Sequence, residues 1–76
     1  MKELLTYIIQ SLVENPDEVS VTERKAEGET VFEVRVAEGD MGKVIGRQGR
    51  IAKEIRALVK AHGLRDGRKI MVDILD

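Results

Sequence analysis

Residues 44–51 read Val-Ile-Gly-Arg-Gln-Gly-Arg-Ile, VIGRQGRI. Two glycines bracket two polar residues, an apolar pair precedes them, and a basic run with helical spacing follows. Glycine at 46 and 49 lets the chain turn sharply and lets another backbone approach where a Cβ would collide. Between them, Arg47 and Gln48 supply outward donors, and a guanidinium can grip a phosphate through two parallel hydrogen bonds. A glycine turn that opens a helix is an anion site in general, because the first N–H groups lack partners and the helix dipole favours negative charge. The question is which anion, on which fold.

The spacing on either side predicts the elements. In 50–62, Ile51, Ile55, Leu58, Val59 and His62 fall at i, i+4, i+7, i+8 and i+11, one stripe of a helix, with Gly63 expected just past its end. Leu58 and Val59 are expected in the core, and His62 packed or capping. Upstream, Asp40 is a suitable N-cap for a short helix over 41–45. Thr30–Ala37 alternates, with Phe32, Val34 and Val36 on one face, and Val19 and Val21 alternate with Ser20 and Thr22. Glycine in Glu27-Gly28-Glu29 reads as the turn of a hairpin. Residues 2–14 form an amphipathic helix that should stop near Asn15, since Pro16 disfavours helical geometry in the residue before it. Lys69–Leu75 reads as a last strand with Ile70, Val72 and Ile74 together. The order is α-β-β-α-α-β, an α+β chain. Every stripe is buried if the helices pack on one face of a three-stranded sheet.

Seventy-six residues suit one domain, 1–76, burying roughly 60% of its unfolded surface. A hydrophobic content of 42% with a formal charge of −1 fits a folded chain. That near-neutrality hides a partition: residues 1–42 hold four basic against ten acidic residues, whereas 43–69 hold nine basic against two acidic. A phosphate-bearing partner meets this local field, provided the acidic half does not fold over it. Arg56, Lys60, Arg65, Arg68 and Lys69 read as surface charges.

Several classes are excluded. There is no cysteine, hence no disulfide framework or Cys-ligated zinc. With one histidine and scattered serines, no nucleophile-base set can be assembled, so no enzyme, metal or cofactor is expected. A P-loop needs four residues between its glycines and then Lys-Ser/Thr, and a dinucleotide fingerprint spaces its glycines differently. No apolar run spans a bilayer and no secretion signal is visible, so a cytoplasmic chain without membrane contact is expected.

What remains, Gly-x-x-Gly between a short and a long helix, after a hairpin and before a strand, resembles a KH domain, whose GXXG loop clamps about four nucleotides of backbone. The helix and strand preceding the shared core make it similar to the type II KH fold. With the Asn15-Pro16-Asp17 break and MGKVIGRQGRIAKEIRALVKA, the full chain resembles the small stand-alone bacterial KH proteins of the KhpA family. That resemblance implies single-stranded RNA held by Gly46, Arg47, Gln48 and Gly49. Lys43, Arg50 and Lys53 would add salt-sensitive attraction, and Val44, Ile45, Ile51 and Ile55 would floor a groove to which Val34 or Val36 contributes. It further implies an RNA chaperone or post-transcriptional regulator that affects cell elongation and envelope growth. Such a protein acts as a homodimer, or as a heterodimer with a larger KH-containing partner of the KhpB (Jag) type. Tyr7 and Phe32 are the only aromatics and both read as packed, so base stacking is not expected and sequence specificity should be low.

Overall fold

Leu5 and Ile9, one helical turn apart, are fully buried and fix α1 (Lys2–Leu12) against the sheet of this computed structural model, which describes residues 1–75. A 3₁₀ turn over Pro16–Glu18 leads into β1 (Ser20–Ala26) and β2 (Glu29–Arg35), an antiparallel hairpin turning through Gly28 at φ +74°. A second 3₁₀ turn, Glu38–Asp40, precedes α2 (Met41–Ile45); α3 (Arg50–Arg65) and β3 (Lys69–Leu75) complete the order. The sheet runs β1-β2-β3, with β3 parallel to β2, so β3 is an edge strand. This is the mixed three-stranded arrangement expected of a type II KH fold. None of the described helices is long and apolar enough to cross a membrane.

Register explains the core. Val21 faces Val34, which faces Ile74, and Phe32 faces Val72, so the alternation of each strand falls on one side. Those residues join Leu5 and Ile9 of α1, Val44 of α2, and Ile55 and Val59 of α3 in one cluster. At roughly 1.5–3 kcal/mol per buried large aliphatic side chain, this cluster is the main favourable term for so small a chain.

Three expectations need correcting. Leu58 is 55% exposed rather than in the core, because α3 packs through Ala52, Ile55, Val59 and Gly63. Tyr7 is 68% exposed, on the outer side of α1. Gly63 lies within α3: a Cβ there would meet the Arg68 carbonyl oxygen and Ile70 Cγ1, each at 2.8 Å, so glycine lets the helix lie tight on β3. The helix ends at Arg65, and the chain turns away through Gly67, with φ +70°. The Arg68 N–H bonds back to the Gly63 carbonyl at 2.7 Å and the Gly67 N–H to that of Leu64 at 3.1 Å, a left-handed C-terminal cap.

Asp40 departs from expectation in a more consequential way. It occupies the N-cap position of α2, yet its side chain caps nothing there. The carboxylate, 1% exposed, instead accepts the Glu14 N–H at 3.2 Å, the Asn15 N–H at 3.0 Å and the Asn15 side-chain amide at 3.2 Å. Those backbone donors would otherwise have continued α1, which accounts for its ending at Leu12. Burial by itself raises the Asp40 pKa, but these three hydrogen bonds, with the charge of Lys43, hold it below the ordinary carboxylate value. A depressed folded-state pKa contributes stability that is complete above the unfolded value of about 3.9 and is lost as the pH falls through the lower folded value. Asp40→Asn should therefore lower the thermal midpoint at neutral pH, and its deficit relative to the parent should shrink below about pH 4. Melting curves across pH 2–8 check this; a deficit independent of pH would show that the charge contributes nothing.

Candidate functional site

The corner between α2 and α3 is set by backbone conformation. Gly46 closes α2 at φ 77°, ψ 175°, a region essentially restricted to glycine, and its N–H bonds to the Gly42 carbonyl at 2.8 Å. Residues 47–49 form a 3₁₀ turn in which Gln48, at φ 58°, is the one non-glycine residue with positive φ among those described, and Gly49 follows at φ 73°. Strain of this kind persists where the surrounding structure over-determines it and concentrates at functional sites. The left-handed Gln48 was not foreseen from the sequence; its position between two glycines was the available signal.

The two glycines differ in cause. A Cβ at Gly46 would sit 2.6 Å from Ile51 Cγ1 and 2.9 Å from Ile51 Cβ, whereas one at Gly49 would meet nothing within 4 Å. Gly46 is thus required by internal packing. Gly49 leaves open space at the surface, where a ligand's backbone can come close.

Charge gathers at this corner. Arg47, Gln48, Arg50 and Lys53 are exposed, and no ion pair among the described residues involves the three cations. α3 starts at Arg50 with no side-chain cap and no acid in its first turn. Cations near the positive end of a helix dipole cost about 0.3–1 kcal/mol each, a cost that a bound anion reverses. Lys43 is partly engaged, its Nζ lying 3.3 Å from Glu14 Oε1, so at this corner the acidic N-terminal half reaches into the basic cluster through an ion pair.

The expected site residues divide by accessibility. Gly46, Arg47, Gln48, Gly49, Lys43, Arg50 and Lys53 surround the corner; Ile45 is 37% exposed and Ile51 half-buried beside it. Val44, Ile55 and Val34 are core residues without useful surface, so they support the corner from beneath, while Val36 is half-buried. His62 lies near the end of α3, its Nε2 3.7 Å from Asp66 Oδ2. No group of three or more His, Asp or Glu placed to hold a metal occurs among the described residues.

The family model described as the KhpA/KhpB KH domain matches residues 2–74. The RNA-binding protein KhpA of Clostridium acetobutylicum is 49% identical over 75 residues, covering 99% of this chain and 100% of the relative. The protein of the same name from Caldanaerobacter subterraneus is 48% identical with the same coverage. Among solved structures, a GDP·AlF4−-bound Era variant from Aquifex aeolicus superimposes with a TM-score of 0.65 at 21% identity, over 96% of this chain and 28% of that one. That last likeness concerns the fold alone.

The asymmetry between the glycines is measurable. Gly46→Ala combines backbone strain with a clash and should cost about 2–4 kcal/mol of unfolding free energy. Gly49→Ala carries the left-handed penalty alone, about 1–2 kcal/mol. Urea denaturation of the two variants separates them; equal destabilisation would show that Ile51 does not crowd position 46.

Proposed function

The chain belongs to the KhpA/KhpB family of KH domains, and from that membership we propose that it binds single-stranded RNA at the Gly46–Gly49 corner. Residues 1–76 act as a single KH unit of type II. The observation that carries the reading is the exposed, unpaired set of Arg47, Arg50 and Lys53 around a glycine turn that leaves room for a foreign backbone. In this reading the sugar-phosphate chain passes over Gly49. Arg47 and Gln48 donate to phosphate oxygens, and Lys43, Arg50 and Lys53 supply sequence-blind attraction. Bases rest against the aliphatic surface of Ile45 and Ile51, which Val44 and Ile55 hold in place. The turn itself offers no aromatic for stacking, so contact is aliphatic and specificity low.

At the level of the cell, we infer from family membership an RNA chaperone or post-transcriptional regulator in the cytoplasm that affects cell elongation and envelope growth. A single corner that clamps about four nucleotides binds weakly, and a second copy of the surface raises affinity by effective concentration. Pairing is supported by Leu58, which stands one heptad beyond Ile51 on α3 with more than half its surface in solvent. We infer that this side of α3 meets a second KH unit, either the same chain or a larger KhpB (Jag)-type partner. A purely protein-docking role, with RNA contact incidental, would use the same face and leave the glycine corner idle.

Two experiments distinguish these readings. Arg47→Asp with Gln48→Asp keeps both glycines and should preserve the circular dichroism spectrum while weakening single-stranded RNA binding by more than about tenfold. The parent's log affinity should fall with log salt at a slope of roughly −2 to −3, about 0.7 for each phosphate of a four-nucleotide clamp. RNA binding equal to the parent's in the double variant, or a flat salt response, would leave the docking role standing. Separately, Leu58→Glu should convert a dimer to a folded monomer in sedimentation velocity; an unchanged dimer would move the interface elsewhere.

A further inference from the structure

One of the cations around the glycine corner is held differently from the rest. Arg47, Arg50 and Lys53 enter no ion pair among the described residues, whereas Lys43 Nζ lies 3.3 Å from Glu14 Oε1. The fold fixes where that carboxylate stands. Glu14 follows α1 by two residues, and its own N–H donates to Asp40 Oδ1 at 3.2 Å, while the Asn15 N–H donates to Asp40 Oδ2 at 3.0 Å. Asp40 immediately precedes α2, and Lys43 lies within that helix. The backbone that bears the carboxylate and the helix that bears the ammonium are thus fastened to each other by a buried side chain, so the pair forms without ordering either backbone anew.

Three sources of negative charge bear on Lys43. Glu14 pairs with it, and the Asp40 carboxylate responds to its charge. The third is α1, which has no basic residue in its last turn and brings the negative end of its dipole to the same junction. The start of α3 is the reverse, with Arg50 and no acid in its first turn. An approaching phosphate therefore meets three free cations and one that is already neutralised. Glu14 is 76% exposed, so its pair with Lys43 is open to solvent, and pairs of that kind are weak enough to be exchanged.

We propose that Glu14 is a built-in competitor for phosphate at the corner: it occupies Lys43 in the unliganded protein and yields it to a strand held by Arg47, Arg50 and Lys53. This rests on the corner's holding RNA as argued above, and it adds what limits the strength of that hold. A displaced carboxylate stands beside the phosphate that displaced it. It also gathers a cation from solution, which offsets the counterion that the phosphate gives up. Glu14 thus weakens the complex and blunts its response to salt.

The test is a double-mutant cycle on the full chain over Glu14→Gln and Lys43→Gln, read by fluorescence anisotropy with an oligouridylate of about five nucleotides, enough to fill the clamp. Glutamine at 14 keeps the backbone N–H that Asp40 accepts, and both positions are exposed, so the fold tolerates the changes. Glu14→Gln should tighten binding about two- to fivefold, the worth of an exposed ion pair, and steepen the slope of log affinity against log salt by about 0.7, one further phosphate neutralised. In the Lys43→Gln background the same change should leave the slope unmoved and retain less than half of the gain. An equal gain in both backgrounds would mark general repulsion between Glu14 and RNA and overturn the competitor, as would no gain in either. Arg47→Asp with Gln48→Asp, run in parallel, separates this from the corner itself. If that variant binds weakly while Glu14→Gln binds as the parent does, the competitor alone falls; if it binds undiminished, the corner reading falls and the competitor with it.

Discussion

A single buried carboxylate holds together the parts of this chain that matter for its site. Asp40 sits one residue ahead of α2 and draws in two backbone N–H groups and an amide from residues 14 and 15. Without it, the Glu14 and Asn15 N–H groups just after α1 would lose their acceptor, at up to about 1–3 kcal/mol each. With it, no buried side-chain N or O atom among the described residues lacks a partner. The Lys43–Glu14 pair spans the same junction from the solvent side, where it contributes direction more than energy. The position of α2, and hence of the glycine corner at its end, is thus referenced to the N-terminal helix across more than two dozen residues of sequence.

The motif itself works at two levels. Val44 and Ile55 are core residues by burial, yet they stand on the two helices that flank the glycine corner. Arg47, Arg50 and Lys53 contribute nothing to packing and add repulsion at the start of α3. Foldedness therefore comes from the aliphatic positions, and the charged ones are left free for the recognition proposed above. The site carries a modest electrostatic cost in the unliganded protein, which is the usual relation between binding surfaces and stability.

Periodicity made the element order, the hairpin and β3 legible in the sequence, because alternation and the helical stripe survive without knowledge of neighbours. What escaped were features set by partners distant in the chain. Leu58 fits the apolar stripe of α3 as well as Val59 does; only the placement of β3 and α2 decides that the packed row is Ala52, Ile55, Val59 and Gly63. Gly63 looked like a stop signal because its true role, admitting the Arg68 carbonyl and Ile70, involves residues that follow the turn. Asp40 has the composition of a cap and the location of one, and no local rule announces that its acceptors are needed elsewhere. At the corner, the glycines and cations were readable from type and spacing, whereas the left-handed Gln48 and the separation of buried from exposed aliphatics required the coordinates.

Gly46 carries one more implication, for how such a sequence can drift. Two unrelated constraints fall on it: a dihedral region closed to side chains, and an Ile51 that fills the place of a Cβ. Trimming residue 51 would lift the second and leave the first; a relaxed backbone would lift the first and leave the second. No single neighbouring change frees the position, so it is locked redundantly. Gly49, held by dihedral alone, is the member of the pair through which the turn can vary.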